Sequence, residues 1–189
     1  MNTELAALKL KRTFIVTTGI RHNAATFKTV LEGRGIHITS KALDLMSMTG
    51  HPRVRFGEKK EGVILADVSV EELGLPDNAP YGDICLKAIG HSVIWAGNTY
   101  KLAYTSFEQA CALREQYTDQ PFDEWLRVGM FAIQHPMGNR MLLRIVHGRN
   151  KVLYFDTDDG GDLDDLFDGH VRFIWQLTPV PKRLMPEPS

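Results

Sequence analysis

Residues 106–117 read SFEQACALREQY, and this stretch decides the class of the fold. Ser106 and Gln109 stand at the spacing of a capping box, in which each side chain accepts a hydrogen bond from the other residue's backbone amide. The apolar side chains behind this cap recur at helical spacing: Phe107, Ala110, Cys111, Leu113 and Tyr117. Such a stripe is typical of a helix that packs one side against a core, so we expect a helix over 107–117.

A second helix is expected directly after the first, over 121–134, because apolar side chains would cover most of its surface. These side chains are Phe122, Trp125, Leu126, Val128, Ala132 and Ile133. Asp123, Glu124 and Arg127 would mark a narrow face in contact with water. The two helices, 107–117 and 121–134, are therefore expected to form a central pair in the core.

Strand-like stretches lie on both sides of this helix pair. Residues 12–18, RTFIVTT, are rich in β-branched side chains and predict a strand, which a helix capped by Asn23 would follow. Residues 140–147 and 150–156 predict a C-terminal β-hairpin. Helices and strands alternate early in the chain and cluster later, which favours an α+β fold with mixed or antiparallel sheets around the helix pair.

The length of 189 residues suggests one domain or two small ones, and 43% apolar with 24% charged residues is an ordinary globular composition. Residues 74–82 contain two prolines and two glycines, which places a boundary near residue 80. We therefore expect a basic region over 1–80, an acidic α+β region over 81–178 and a proline-rich tail over 179–189.

The charge of the chain is distributed unevenly. Residues 1–60 contain 11 lysines and arginines against 4 acids, whereas the remainder contains 11 against 19. An asymmetry of this kind is a hint of a polyanionic partner such as nucleic acid. The alternative is that the two parts fold against each other and neutralise.

Several classes of protein are disfavoured by what the sequence contains. The longest stretch without a charged residue, 88–100, is too short and too polar to cross a bilayer, so no membrane partner is expected. The first residues include Glu4 and no apolar run, so we expect no secretory signal and a cytoplasmic location. Phosphate-binding loops, dinucleotide fingerprints and zinc-ligand spacings are missing, and no cofactor is expected.

Residues 35–66 contain a short strand, a helix that Ser40 would cap, and a hairpin of 54–56 with 62–66. The basic residues of this stretch are Lys41, Arg53, Arg55, Lys59 and Lys60. The order resembles one half of the AbrB/SpoVT-type swapped-hairpin DNA-binding proteins, in which two chains intertwine and basic residues on the β face contact DNA. The resemblance implies that those five residues contact nucleic acid and that the chain forms a homodimer. The family's Leu-Gly-x-x-x-Gly-Asp turn is replaced here by MSMTGHP at 46–52.

A strand that delivers Arg21 and His22 into a loop resembles the histidine phosphatases. In that family the histidine takes the phosphoryl group and the arginine holds it, as expected for a nucleophilic imidazole beside a guanidinium fork. The resemblance implies catalytic roles for Arg21 and His22. The family has glycine where Asn23 stands in this chain.

Seven aspartates fall between residues 156 and 168. Read as a calcium loop from Asp156, the stretch lacks a carboxylate at the fifth position and has Phe167 where a bidentate glutamate belongs. We therefore expect no tight metal site. Two interpretations stay open: an irregular calcium or magnesium site, or an acidic turn before a short helix. The residues of the irregular site would be Asp156, Asp158, Asp162 and Asp164.

The sequence therefore predicts a non-enzymatic, cytoplasmic binding or regulatory protein whose basic first third contacts nucleic acid. One alternative is a small phosphate-ester enzyme that acts through Arg21 and His22. The other is a protein-binding adaptor, with Phe131 as an apolar residue on the polar side of the expected helix over 121–134.

Overall fold

The computed structural model describes residues 8–181, and within them the chain has an α+β fold. The helices are α1 (Ala24–Gly33), α2 (Ser40–Met46), α3 (Tyr81–Ala88) and α4 (Phe107–Gln116). The first strands are β1 (Leu8–Lys9), β2 (Arg12–Thr18), β3 (His37–Ile38), β4 (Glu61–Ser69), β5 (Ala79–Pro80), β6 (Ser92–Trp95) and β7 (Asn98–Ala103). The later strands are β8 (Trp125–Val128), β9 (Ile133–Gln134), β10 (Arg140–His147), β11 (Leu153–Asp158), β12 (Leu166–Phe167) and β13 (Arg172–Pro179). The expected proline-rich tail lies outside the described residues from residue 182 onward.

One mixed sheet connects distant parts of the chain. Its main path runs β1-β6-β7-β13-β8-β10-β11-β3, with β4 beside β13, β2 beside β4 and β9 beside β10. The strand β13 pairs antiparallel with β4 and β7 and parallel with β8. Because β4 precedes the boundary expected near residue 80 and β13 follows it, the two expected regions contribute strands to the same sheet. No helix among residues 8–181 is long and apolar enough to cross a membrane.

Several local expectations are confirmed. The helix expected over 107–117 is α4, and both bonds of its capping box form: the Ser106 amide donates to the Gln109 side chain at 2.9 Å, and the Gln109 amide donates to the Ser106 hydroxyl at 3.2 Å. Asn23 caps α1, because its side-chain oxygen accepts from the amide of Thr26 at 2.9 Å. The C-terminal hairpin is the antiparallel pair of β10 and β11.

The helix α4 lies at the centre of the core, and even its polar side chains are largely buried. Its buried apolar residues include Phe107, Ala110, Cys111 and Leu113. Arg114 is fully buried as well; its guanidinium donates to the Gln120 side chain at 2.5 Å and to the carbonyl of Tyr117. Burial lowers the pKa of Arg114 to about 10, so the group stays charged at neutral pH and depends on these acceptors.

The prediction of a second helix over 121–134 is wrong, so this segment provides no helical partner for α4. The segment forms β8, a short loop and β9, and β8 lies between β10 and β13 in the sheet. Side chains alternate along β8: Leu126 and Val128 are buried, whereas Trp125 is 44% exposed and lies under the Arg144 guanidinium at 4.8 Å. This period of two is typical of a strand. It was not apparent in the sequence, because the exposed face of β8 carries an apolar residue, Trp125.

A glycine marks the point where this segment leaves the strand. A Cβ atom built on Gly129 would lie 2.5 Å from the ring of Trp175, so the backbone can cross that buried ring only without a side chain. Glycine in the middle of an apolar run is unfavourable for a helix. Gly129 was therefore the sequence signal against a continuous helix.

The hairpin expected from 54–56 and 62–66 is also wrong, because residues 47–60 form a loop without a strand. Residues 62–66 do belong to a strand, β4, but this strand pairs with β2 on one edge and β13 on the other. The segment 54–56 pairs with neither edge of β4. The short helix foreseen within the acidic stretch is likewise replaced by the strand β12.

Candidate functional site

We call residues 53–60 the basic loop; over its first four residues, exposed cations alternate with apolar side chains that pack on the core. Arg53 and Arg55 are exposed, and the intervening Val54 is buried. The ring of Phe56 packs 5.4 Å from that of Phe27 and 6.0 Å from that of Phe107. The alternation that suggested a strand therefore arises from packing on α1 and α4 rather than from a β-ladder.

A buried carboxylate fixes the middle of the basic loop. Glu108, in the first turn of α4, accepts from the amide of Gly57 at 2.7 Å and from the amide of Gly19 at 2.7 Å. Gly19 has a φ of +70°, and a Cβ atom there would lie 2.0 Å from the carbonyl oxygen of Lys59. The turn after β2 and the basic loop are thus held against each other. Acids are common in first helical turns, so nothing in the sequence distinguished Glu108.

The four cations of the basic loop have no carboxylate partner within 4.0 Å among the described residues. Most other cationic side chains of the described residues lie within 4.0 Å of a carboxylate: Lys11, Arg12, Arg21, Lys28, Arg34, Lys41, Arg127, Arg140, Arg144, Arg149 and Arg172. The exposed Glu58 is the single acid of the basic loop. Three further lysines without a carboxylate partner in the described part lie apart from one another: Lys87 in α3, Lys101 in β7 and Lys151 in the turn between β10 and β11. The structure therefore concentrates free positive charge in one loop.

Lys41, the fifth basic residue expected to bind nucleic acid, does not share this arrangement. It lies in α2, and its ammonium contacts the Asp159 carboxylate at 2.8 Å. Both side chains are about half exposed. Lys41 is therefore already neutralised, whereas the cations of the basic loop are not.

A cavity of about 450 Å³ opens beside the basic loop. Its inner surface is formed by the buried residues Tyr81, Cys85 and Met130. Its rim is formed by the exposed residues Arg53, Phe131 and Arg140. The cavity therefore has positive charge at its entrance and neutral groups at its base.

The aromatic side of the rim is organised by Phe131, which is 54% exposed. Its ring centroid lies 4.0 Å from that of Tyr104, and the Arg53 guanidinium lies over the ring at 5.0 Å. The same guanidinium donates to the carbonyl of Ala132, so two contacts hold it in place. Phe131 thus lies on the loop between β8 and β9, and not on the helix from which an adaptor role was expected.

The inner groups of the cavity are uncharged at neutral pH. The Tyr81 hydroxyl donates to the carbonyl of Met130 at 2.6 Å and accepts from the amide of the same residue at 3.2 Å. Burial raises the pKa of the Cys85 thiol and raises the pKa of Tyr104 to about 12. A neutral thiol is a poor nucleophile, so these groups suit binding rather than covalent chemistry.

Arg21 and His22, the residues of the phosphatase alternative, lie in the loop between β2 and α1. The Arg21 guanidinium contacts the Glu115 carboxylate at 2.7 Å, and Glu115 also lies 3.4 Å from Arg34. His22 is exposed and makes no side-chain hydrogen bond within residues 8–181. The arginine that would hold a phosphoryl group is therefore occupied by an internal ion pair.

Three of the four aspartates of the alternative metal site contact arginines, and the four are not grouped around a common point. Asp156 contacts Arg144 at 2.6 Å, and Asp158 contacts Arg127 at 2.7 Å. Asp162 lies 3.5 Å from Arg140, and Asp164 is exposed. The described residues contain no group of three or more histidines, cysteines or acids placed to hold a metal ion.

Sequence reasoning identified the four cations of the basic loop but missed the cavity beside them. Tyr81, Met130 and Arg140 come from three separate segments, and only the folded sheet brings them together. Comparison with known proteins found no protein family, curated protein or solved structure that matches the chain. The function is therefore inferred from the charges and the shape of this site.

Proposed function

We propose that this protein is a non-enzymatic binding protein whose basic loop contacts the phosphate backbone of a nucleic acid. The observation that supports the proposal is the set of unpaired, exposed cations Arg53, Arg55, Lys59 and Lys60. Like charges brought close together without counterions create a positive potential, and a polyanion gains free energy there by releasing its condensed counterions. The proposal rests on these charges and requires no β-hairpin.

The way the loop is anchored favours binding. Val54 and Phe56 are held by the core, and the Gly57 amide is held by Glu108 at 2.7 Å. A backbone that is already ordered loses less conformational entropy when a partner binds. The cations are exposed side chains on an anchored backbone, which is suited to contact with phosphate groups.

The binding expected from such a loop is sequence-independent and weak. Phosphate contacts position a protein on a nucleic acid without reading its bases. Four contacts predict a slope of roughly −3 to −4 for the logarithm of affinity against the logarithm of salt concentration on duplex DNA. The acidic remainder of the chain opposes DNA, so we expect a dissociation constant of about a micromolar at best at physiological salt.

The test is fluorescence anisotropy with a labelled duplex and a labelled single strand between about 50 and 300 mM salt. The loop variant Arg55→Gln/Lys59→Gln/Lys60→Gln removes three unpaired cations and leaves Arg53 with its contacts. Its matched control, Lys87→Gln/Lys101→Gln/Lys151→Gln, removes three unpaired cations elsewhere. We expect the loop variant to lose about tenfold or more in affinity and most of the salt slope, and the control to lose little.

Two results would overturn the proposal. The first is the absence of binding by the unaltered protein at the lowest salt concentration. The second is an equal loss of affinity in both triple variants, because the net charge of the protein and not the loop would then govern binding. The first result would favour the protein-binding alternative.

A further inference from the structure

We infer that the cavity beside the basic loop accepts one base of a single-stranded nucleic acid, while Arg53 and Arg140 bind an adjoining phosphate. This inference rests on the proposed function and adds to it a strand type and a contact with the base. The cavity volume of about 450 Å³ lies within the range of roughly 300 to 1,000 Å³ that is usual for small-molecule pockets.

The distribution of charge in the cavity matches the distribution of charge in a nucleotide. A base is a neutral planar ring, and the phosphate beside it is anionic. The inner residues Tyr81, Cys85 and Met130 are neutral and buried, whereas Arg53 and Arg140 lie at the exposed rim. A ring that enters the cavity therefore leaves its phosphate at the rim, to which both arginines belong.

Both arginines at the rim have donors to offer. Arg53 uses one N–H group on the Ala132 carbonyl, and a guanidinium has five in total. Arg140 lies 3.5 Å from Asp162, and both side chains are more than half exposed. An exposed ion pair of that length contributes little free energy, so a phosphate can compete for Arg140. Two forked donors near one cavity mouth favour an anion with several oxygen atoms.

The exposed ring of Phe131 supplies an aromatic surface at the rim. It contacts the Tyr104 ring and the Arg53 guanidinium and is still 54% exposed, so an aromatic and cationic surface at the rim reaches solvent. Stacking of bases on aromatic and arginine side chains is the usual source of affinity for single strands. The Tyr81 hydroxyl is already engaged on both sides by Met130, so this buried hydroxyl is not free to read the base. We therefore expect tolerance of different bases.

A single strand suits this cavity better than a duplex. In a duplex each base is stacked and paired, and extruding it costs a few kcal/mol. A single strand presents its bases without that cost. An aromatic side chain of a partner protein is the competing occupant, and the experiment below separates it from a base.

The experiment compares two labelled strands of about 12 nucleotides, a length within the usual site size of such proteins. One is oligothymidylate, and the other is an abasic strand of equal length and equal charge. The unaltered protein is expected to bind oligothymidylate about 5- to 100-fold more tightly, the range that one stacked base provides. The abasic strand reports the contribution of the phosphate contacts alone.

A cavity-filling variant tests the location of the base. Leu163 lines the cavity and is 61% exposed, so Leu163→Trp can place an indole in the cavity without changing any charge. The control is Ile94→Trp, which alters a similarly exposed residue on β6 outside the cavity. We expect Leu163→Trp to abolish the preference for thymidylate and to leave affinity for the abasic strand unchanged. We expect Ile94→Trp to change neither.

A second pair of variants tests the phosphate contact. Arg140→Gln should weaken binding of oligothymidylate severalfold, whereas Arg149→Gln, an exposed arginine that is also paired with an aspartate, should not. If Leu163→Trp does not fold, as judged by circular dichroism, Phe131→Ala replaces it, because truncating the ring should also reduce the preference for bases.

The outcomes distinguish this inference from the proposed function. Equal affinity for the two strands, with both lost in the loop variant Arg55→Gln/Lys59→Gln/Lys60→Gln, would leave the proposed function standing and overturn the base site. A preference for thymidylate that persists in Leu163→Trp would place the base elsewhere and would also overturn the base site in this cavity. No binding of either strand would overturn the proposed function itself.

Discussion

The charges around Asp67 and the charges of the basic loop are arranged in opposite ways. Asp67 is 2% exposed, and its carboxylate accepts from Arg12 at 2.9 Å and from Arg172 at 2.6 Å. In the basic loop, Arg55 and Lys59 extend into solvent without a carboxylate within 4.0 Å among residues 8–181. One set of charges is part of the fold, and the other is available to a partner.

This difference shows why a count of charged residues says little about function. Arg12 and Arg55 each contribute one positive charge to the basic first third of the chain. Only the fold shows that Arg12 is committed to Asp67 and Glu124, whereas Arg55 has no such partner in the described part of the chain. Removing the committed charges should therefore change stability, and removing the free ones should change binding.

The largest effect on stability is expected for Asp67→Asn. Two partly buried arginines would lose their common counter-charge, which typically lowers the free energy of unfolding by about 3 to 5 kcal/mol. Asp159→Asn, which breaks the exposed pair with Lys41, serves as the control and should cost less than about 1 kcal/mol. Urea denaturation measures both values. Similar losses at the two positions would show that burial does not distinguish the pairs.

A smaller loss, of about 2 to 3 kcal/mol, is expected for Glu108→Gln. The amide group would place a donor opposite the amide of Gly19 or Gly57, where the carboxylate now supplies two acceptors. Faster hydrogen exchange at these two glycine amides should accompany the loss, because the loop is then less firmly held. Glu58→Gln removes the exposed acid of the same loop and should leave exchange at both amides unchanged.

The loop variant Arg55→Gln/Lys59→Gln/Lys60→Gln should change the free energy of unfolding by less than about 0.5 kcal/mol, because no internal contact depends on these charges. Any change should be a gain at low salt, since repulsion between the cations is then least screened. Melts at low and high salt measure this difference. A loss as large as that of Asp67→Asn would mean that the loop cations stabilise the fold.

The smallest effect concerns His91, whose pKa is lowered by burial and by the unpaired Lys87. The folded state therefore resists the proton that the unfolded chain accepts, and this contribution to stability is present above the ordinary histidine pKa of about 6.5. It decreases as the pH falls below that value. Lys87→Gln should raise the pKa of His91 in an NMR titration and should reduce the loss of stability at acid pH. Lys151→Gln should change neither.

Local signals explain which parts of the fold could be predicted from the sequence. The capping box of α4, the Asn23 cap of α1 and the β-branched strand β2 all depend on neighbours within a few residues. The segment over 121–134 could not be assigned in this way. Its conformation depends on pairing of β8 with β10 and β13, which are distant in sequence, and tertiary pairing outweighs local propensity.

The candidate site was predictable only in part, for the same reason. The clustering of Arg53, Arg55, Lys59 and Lys60 is visible in the sequence because the four lie within eight residues. That Lys41 is neutralised by Asp159 could not be foreseen, since the partners stand 118 positions apart. The cavity was likewise hidden, because its inner residues converge from α3 and from the loop after β8.

The two cysteines of the chain allow occupancy of the cavity to be measured by thiol alkylation without any mutation. Cys85 lines the cavity, whereas Cys111 is completely buried in α4. Burial raises the pKa of both thiols, and that of Cys111 the more strongly, so alkylation should be slow and confined to Cys85. A molecule in the cavity would shield this thiol. Mass spectrometry of the alkylated protein would thus show occupancy of the cavity as protection of a single peptide.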